Sequence, residues 1–293
     1  MMESKTYRIE KKDYFVTVCV DQYNNRIRVE DYYGNINGIV EEMEKIAREH
    51  VAEKLIFKAR KEHYIALIEQ GFRFEAMIDG FFHGSDCLFF SKFYTAGRKI
   101  NAYWVTEDEI LSKVSELDSG VPQISPPPEY NIVRLVENDA TELANLYGQV
   151  FEIYPTNLND PEYIRKTMRE GTVYYGFRHH GKVISAASAE IDAIYRNAEL
   201  TDCATLQEHR KYGLMKFLLV KLEDRLKGMG IYCTYSMARA LSFGMNAALH
   251  QLGYRYRGRM LNNCYIYDKI ENMNMWVKDL SVVPNIRQTT DNF

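Results

Sequence analysis

Residues 208–219, EHRKYGLMKFLL, set a basic residue, two spacers and a glycine ahead of an apolar stretch with helical spacing. Two structures fit that string. In one, Gly213 takes a positive φ and the first N–H groups of a helix converge on an anion, whose charge the helix dipole, Arg210 and Lys211 all favour. In the other, the loop is a plain turn into a helix. The letters alone do not separate them. Metal chemistry is not expected. Cys19, Cys87, Cys203, Cys233 and Cys264 are scattered, with no C-x-x-C and no histidine pair at zinc spacing. Most of them sit inside apolar runs, the pattern of buried thiols in a reducing cytosol.

The chain around this loop has 293 residues, 46% hydrophobic and 26% charged, enough for a sizeable core and about two domains. A net charge of −3 offers no basic field for nucleic acid or anionic lipid. The opening MMESKTYRIEKKDY lacks the apolar core of a signal peptide, and no run approaches transmembrane length. The expectation is a cytoplasmic protein without nucleic-acid or membrane partners.

One composition break divides the chain. Four of the seven prolines fall in DSGVPQISPPPEY, 118–130, which reads as a stiff, extended linker. The expected organisation is an N-terminal domain over 1–117, a linker over 118–129, a second domain over 130–280 and a poorly ordered tail over 281–293. In the second domain, strand and helix signals follow the order βααβββαβαββ, a mixed α/β sheet with helices on its faces. DPEYIRKTM is a short helix with Asp160 as N-cap and Pro161 in its first turn. The first domain holds a shortened version of the second half of that order, including a helix NGIVEEMEKIAREH capped by Asn37. ALIEQGFRF (66–74) and ALHQLGYRY (248–256) match Ala, Leu, Gly and Arg at identical spacing. An internal repeat is the expected reading.

The βααβββαβαββ order, with its basic-x-x-Gly loop after the fourth strand, resembles the GCN5-related N-acetyltransferases. In that family the loop reads Gln/Arg-x-x-Gly-x-Gly/Ala and holds the pyrophosphate of acetyl-CoA. The strings ELTDCATL, GLMKFLL, SFGMN and LNNCYIYDKIENMNMWVK are further similar to the bacterial and archaeal β-lysine N6-acetyltransferases. The resemblance implies an acyl-CoA N-acyltransferase-like fold, acetyl-CoA as co-substrate and no metal. It also implies a functional link to lysine 2,3-aminomutase. The N-terminal part would be a non-catalytic half-repeat that packs on the catalytic domain or completes a homodimer. Residue by residue, it implies acetyl-CoA binding by Cys203, Thr205, Arg210, Lys211, Tyr212, Gly213, Leu214, Met215 and Asn246. The family's last small loop position is Met215 here, so the pyrophosphate is expected to sit slightly farther out. Glu199, eleven residues before Arg210, falls in the register of the glutamate that serves as catalytic base in one branch of the family.

Acetyl transfer to an amine needs that amine neutral. A lysine-type ammonium has a pKa of about 10.4, so roughly one molecule in a few thousand is neutral at pH 7. A carboxylate that accepts the proton raises the working fraction. Glu199 is the expected base; a structural ion pair is the alternative. Asp202 has the opposite strand parity unless a bulge shifts its face, and binds the substrate ammonium or supports a loop. Tyr154 and Thr156, in the loop where the family builds its acceptor pocket, and Arg239 and Asn263 complete the expected acceptor site. The expected activity is acetylation of N6 of β-lysine. Another small amine, a protein lysine, or a degenerate acyl-CoA-sensing module are the competing readings.

Overall fold

The computed structural model describes residues 4–118, 120, 125–266 and 269–281. Residues 119 and 121–124 of the expected linker, and 282–293 of the expected tail, lie outside these. The N-terminal unit runs β1 (Lys5–Glu10), β2 (Tyr14–Asp21), β3 (Arg26–Gly34), α1 (Ile36–Glu49), β4 (Lys54–Arg60), α2 (Tyr64–Glu69), β5 (Arg73–Phe82) and β6 (Ser85–Phe93). Two helices follow, α3 (Ala96–Lys99) and α4 (Trp104–Ser115). The C-terminal unit begins with β7 (Tyr130–Leu135), α5 (Ala140–Val150), α6 (Pro161–Arg169), β8 (Val173–His179), β9 (Lys182–Asp192) and β10 (Asn197–Thr205). It ends with α7 (Leu214–Gly228), β11 (Cys233–Arg239), α8 (Phe243–Gln251), β12 (Arg255–Ile266) and β13 (Lys269–Asp279). That order is the βααβββαβαββ read from the sequence. Among the described residues, no helix is long and apolar enough to cross a membrane.

The thirteen strands of the described residues join one sheet, ordered β1-β2-β3-β4-β6-β5-β12-β13-β11-β10-β9-β8-β7. The order is nearly mirror-symmetric about the β5·β12 junction. Among the described strands, parallel pairing occurs only at β3·β4 and at β10·β11, the matching places in the two halves. This topology gives the repeat a structural basis beyond the shared GFRF and GYRY texts. The segment before the linker, expected within the N-terminal domain, forms α4 and packs on the second half: Val114 of α4 is buried in the cluster that holds Leu249 and Trp276.

Local chemistry explains the helix starts. Asp160 accepts from the N–H of Glu162 ahead of Pro161, as expected for α6. The N-cap of α1 is Asn35 and not Asn37: its side chain accepts from the N–H groups of Asn37 and Gly38, so the helix starts one residue before Asn37. On α7 the residues Leu214, Leu218, Leu219, Leu222 and Leu226 recur at helical spacing and are buried against the sheet.

The junction between the units depends on one glycine. Gly258 pairs with Ala76 at φ +126°, and a Cβ there would stand 2.3 Å from the Glu75 carbonyl oxygen. Only glycine tolerates both conditions. Around it, buried Lys54 pairs with buried Glu75 at 2.7 Å and donates to the Leu261 carbonyl at 2.7 Å. Gly258→Ala is expected to cost about 1–3 kcal/mol from backbone strain alone, with the overlap adding to it. A drop in the denaturant midpoint measures the loss, and an unchanged midpoint would mean that the strand contact at Gly258 tolerates a side chain.

Candidate active site

A cleft opens where β10 and β11 part. They pair in parallel only over Asn197–Glu199 and Cys233–Tyr235. Beyond that, Thr201, Asp202, Cys203 and Thr205 on one side and Ser236–Arg239 on the other line a cavity of about 560 Å³. The two facing strand edges keep backbone N–H and C=O groups without a ladder partner, an arrangement suited to an extended amide-bearing chain. At one end the cavity is closed by Arg210, Gly213, Leu214, Met215 and Lys216, and at the other it reaches Val150, Phe151 and Tyr154.

The loop end has the geometry of an anion site. Gly213 adopts φ 61° and ψ 26°, the left-handed region, and no side chain caps α7. The Lys216 N–H bonds the Gly213 carbonyl at 3.2 Å, while the N–H groups of Leu214 and Met215 belong to the first turn, which has no intrahelical acceptor. Arg210 Nε donates to the Thr205 carbonyl at 3.1 Å, which ties the loop back to β10. Thr205 in turn exchanges a hydroxyl hydrogen bond with Ser185 at 2.7 Å. The corresponding turn of the N-terminal unit is filled by its own Asn35 side chain, which occupies the N–H groups an anion would need. Met215 is half-buried and packs against the core that α7 covers, so its side chain reaches inward beside the cleft.

Of the residues expected around the cofactor, Cys203, Thr205, Arg210, Gly213, Leu214 and Met215 line the cavity. Lys211 and Tyr212 do not. Both are exposed, with the Lys211 ammonium over the Tyr212 ring and that ring against Tyr130. Asn246 is also placed elsewhere: it is fully buried, donates to the carbonyls of Arg239 and Ser242, and accepts from Asn274 Nδ2 and Trp276 Nε1. Its hydrogen-bonding capacity is spent on fixing the start of α8.

Acids gather on the sheet face opposite α7. Ala198 and Leu200 of β10 point into the α7 core, which leaves Glu199 and Thr201 on the other face. Glu199 stands opposite Glu190 of β9 and beside Tyr235 of β11. The parity objection to Asp202 is removed by a bulge: the β9·β10 register shifts between Thr201 and Ala204, and Asp202 takes φ 51°. Its carboxylate thereby joins the Glu199 face, where it accepts from Ser188 Oγ at 2.7 Å. Burial pushes the Glu199 carboxyl up to about 8, helped by the like charge of Glu190. Burial and Glu190 also raise Asp202 to about 7, against hydrogen bonds from Ser188 and Tyr154. Tyr235 is raised well above the ordinary phenol range by burial and by Glu199, which makes it a poor proton donor.

The helical loop supplies the opposite wall. Tyr154 lines the cavity and Thr156 does not; the nearby Tyr163 phenol is pushed up to about 12 by burial and by Glu190 and Asp202. Arg239 lines the cavity with one guanidinium nitrogen 3.1 Å from Glu271. Asn263 lies apart from the cavity: buried at the junction of the units, it accepts from Arg26 through both its carbonyl and its side-chain oxygen. Sequence reasoning missed Glu190, Ser188 and Tyr163. Counting back across the β9–β10 turn from Glu199 would have found the first.

Residues 140–254 match the model of the Acetyltransferase (GNAT) family. The chain is 39% identical over 260 residues to the N-acetyltransferase YodP of Bacillus subtilis, covering 89% of this chain and 94% of that protein. It is 33% identical over 270 residues to a β-lysine N(6)-acetyltransferase of Methanosarcina mazei, covering 85% of this chain and 100% of the relative. A second such enzyme, from Methanococcus maripaludis, is 29% identical over 261 residues, 89% of this chain and 95% of the relative. Among solved structures, the ribosomal-protein-S18-alanine N-acetyltransferase of Escherichia coli aligns with a TM-score of 0.46 at 18% identity, covering 54% of this chain and 97% of that one.

Proposed function

We propose the following reaction for this chain, which belongs to the GNAT family of N-acetyltransferases: transfer of the acetyl group of acetyl-CoA to the N6 amine of β-lysine. The observation that carries it is one cleft with two chemically different ends. An uncapped helix N-terminus with Gly213 lies at one end, and Asp202 lines the cleft farther along; Glu199 and Glu190 share the sheet face of Asp202 but are not among the lining residues. The names of the two archaeal relatives support the acceptor.

Bound acetyl-CoA supplies the acetyl group as a thioester. Arg210 and the N–H groups of Leu214 and Met215 would hold its pyrophosphate, and the parted edges of β10 and β11 its amide-bearing arm. Asp202, fixed by Ser188 and Tyr154, gives the incoming ammonium a first partner. Glu199 takes one proton from the ammonium, so that the neutral amine attacks the thioester carbonyl; as the C–N bond forms and the C–S bond breaks, the second amine proton passes to the leaving thiolate, and Glu199 returns its proton to solvent. A base raised toward neutrality suits that task, because its conjugate acid lies closer to the ammonium than an ordinary carboxyl does. A mutase that moves the lysine α-amino group to the β-carbon is the class of reaction that must supply this acceptor.

The test is an acceptor panel of β-lysine, lysine, ornithine and spermidine with acetyl-CoA, the products located by mass spectrometry and NMR. N6-acetyl-β-lysine is expected as the fastest-formed product. A faster rate on spermidine, or acetylation at N3, would overturn the assignment.

A further inference from the structure

The N-terminal unit turns a charged face toward the active site. On β3, Ile27, Val29 and Tyr32 are buried under α1, and on β4 so are Leu55, Phe57 and Ala59. Strand alternation sends Arg26, Arg28 and Glu30, with Lys54, Ile56, Lys58 and Arg60, to the opposite face. Ile56 packs there in one cluster with Tyr235 and Met237 of β11. Both ends of this charged stripe are pinned to the C-terminal unit. At one end Arg26 donates to the Asn263 carbonyl at 2.8 Å, and at the other Arg60 donates to Tyr195 Oη at 2.8 Å. Tyr195 also donates to Asp31 at 2.9 Å, so the β9–β10 turn is held against the end of β3. Glu190 and Glu199 follow within a few residues of that turn.

Between the pins stand Arg28 and Lys58. Each pairs with Glu30, at 2.8 and 2.5 Å, so two cations share one carboxylate. The other cations of the stripe each have their own acid: Arg26 has Asp21, Lys54 has Glu75 and Arg60 has Asp31. Arg28 and Lys58 keep 33% and 24% of their side-chain surface open, so a solute can reach them. Both act on Glu190 and Glu199 through space, yet no ion pair joins them to either acid among the described residues. The cationic stripe of β3 and β4 thus stands near the two acids without an ion pair to either among the described residues.

We propose that Arg28 and Lys58, carried by the non-catalytic half of the chain, bind the carboxylate of the acceptor and so make this enzyme selective for a diamino acid over a diamine. The inference rests on the acetyltransferase reading above and deepens it. The acceptor's ammonium groups meet Glu190, Glu199 and Asp202, while its carboxylate bridges the guanidinium and ammonium. The N-terminal unit, whose own anion loop is closed by Asn35, then serves as the specificity wall of the site.

Three matched pairs test this: β-lysine with 1,4-diaminopentane, lysine with 1,5-diaminopentane, and ornithine with 1,4-diaminobutane. In each pair the second compound lacks only the carboxylate. The unmodified protein is expected to prefer the amino acid in its best pair. Arg28→Gln and Lys58→Met are each expected to lower that preference, read as the ratio of kcat/KM values, by about 10–100-fold, the loss of one charge-assisted contact. Arg28→Lys keeps the charge without the fork and should fall between, which preserves the test if Arg28→Gln unfolds. An unmodified enzyme that acetylates the diamines at least as well overturns the carboxylate site while the acetyltransferase reading stands. Variants that retain the full preference overturn it too. A preference for lysine or ornithine over β-lysine overturns only the β-lysine assignment.

Discussion

Glu199→Gln is expected to lower kcat by about 10²–10⁴-fold, the range for removing a positioned general base, and to change the pH profile with it. In the unmodified enzyme the base must be deprotonated, and its carboxyl is raised to about 8. Its kcat/KM should therefore rise with pH up to about 8 and level off above. The glutamine variant should lose that rise. Stability gives an independent readout of the same shift. The folded protein holds this proton more tightly than the unfolded chain, so between the ordinary glutamate pKa of about 4.3 and about 8, stability falls as pH rises. Glu199→Gln should accordingly raise the melting temperature at pH 8.5 relative to the unmodified protein and leave it nearly unchanged at pH 4. Asp202→Asn separates the two acids. Asp202 lines the cleft and is anchored by Ser188, so its loss should act mainly on the acceptor's KM. A strong fall in kcat with Asp202→Asn, and a mild one with Glu199→Gln, would exchange their roles.

Gly213→Val is expected to weaken acetyl-CoA binding by about 10–100-fold, since a β-branched residue at positive φ costs on the order of 1–3 kcal/mol. The space around the glycine is open enough for a side chain: a Cβ there would meet only Lys216 Cε, at 3.7 Å. The conformation is the obstacle. A valine would pull the loop out of the left-handed region and turn the Leu214 and Met215 N–H groups away from a common point. Calorimetric titration of acetyl-CoA reads the effect, and thermal unfolding reads the cost to the fold. If Gly213 only turned the chain into α7, the melting temperature would fall while the affinity stayed the same.

The C-terminal element order was legible because each helix there carries a strong apolar period, as α7 does with Leu214, Leu218 and Leu222, or a cap, as α6 does with Asp160. The repeat was legible in part, from the GFRF and GYRY texts, while its near mirror symmetry about β5·β12 needed the sheet order. α4 escaped because its sequence, WVTEDEILSKVS, is mostly exposed and buries only Glu107 and Val114. The left-handed Gly213 ahead of an uncapped α7 was readable as a pattern, since it rests on local residues.

The acceptor side was less legible, for physical reasons. Asn246 and Asn263 have the right chemistry for a ligand, but burial has spent their hydrogen bonds inside the protein. A bulge, which strand parity cannot foresee, brings Asp202 beside Glu199. Glu190 becomes a neighbour only through hairpin register. Arg28 and Lys58 are separated from Glu199 by more than a hundred residues and by the linker. Their relation exists only because one sheet carries both units and Tyr195 ties the β9–β10 turn to Asp31.

This cleft is expected to turn over acetyl-CoA with a diamino acid. The most direct measurement mixes the full-length protein with acetyl-CoA and β-lysine and follows free CoA thiol and acetylated product together. Both are expected to appear in equal amounts and over many turnovers, with N6 carrying the acetyl group. Saturable acetyl-CoA binding with no thiol release in the presence of β-lysine, lysine or ornithine would contradict that expectation.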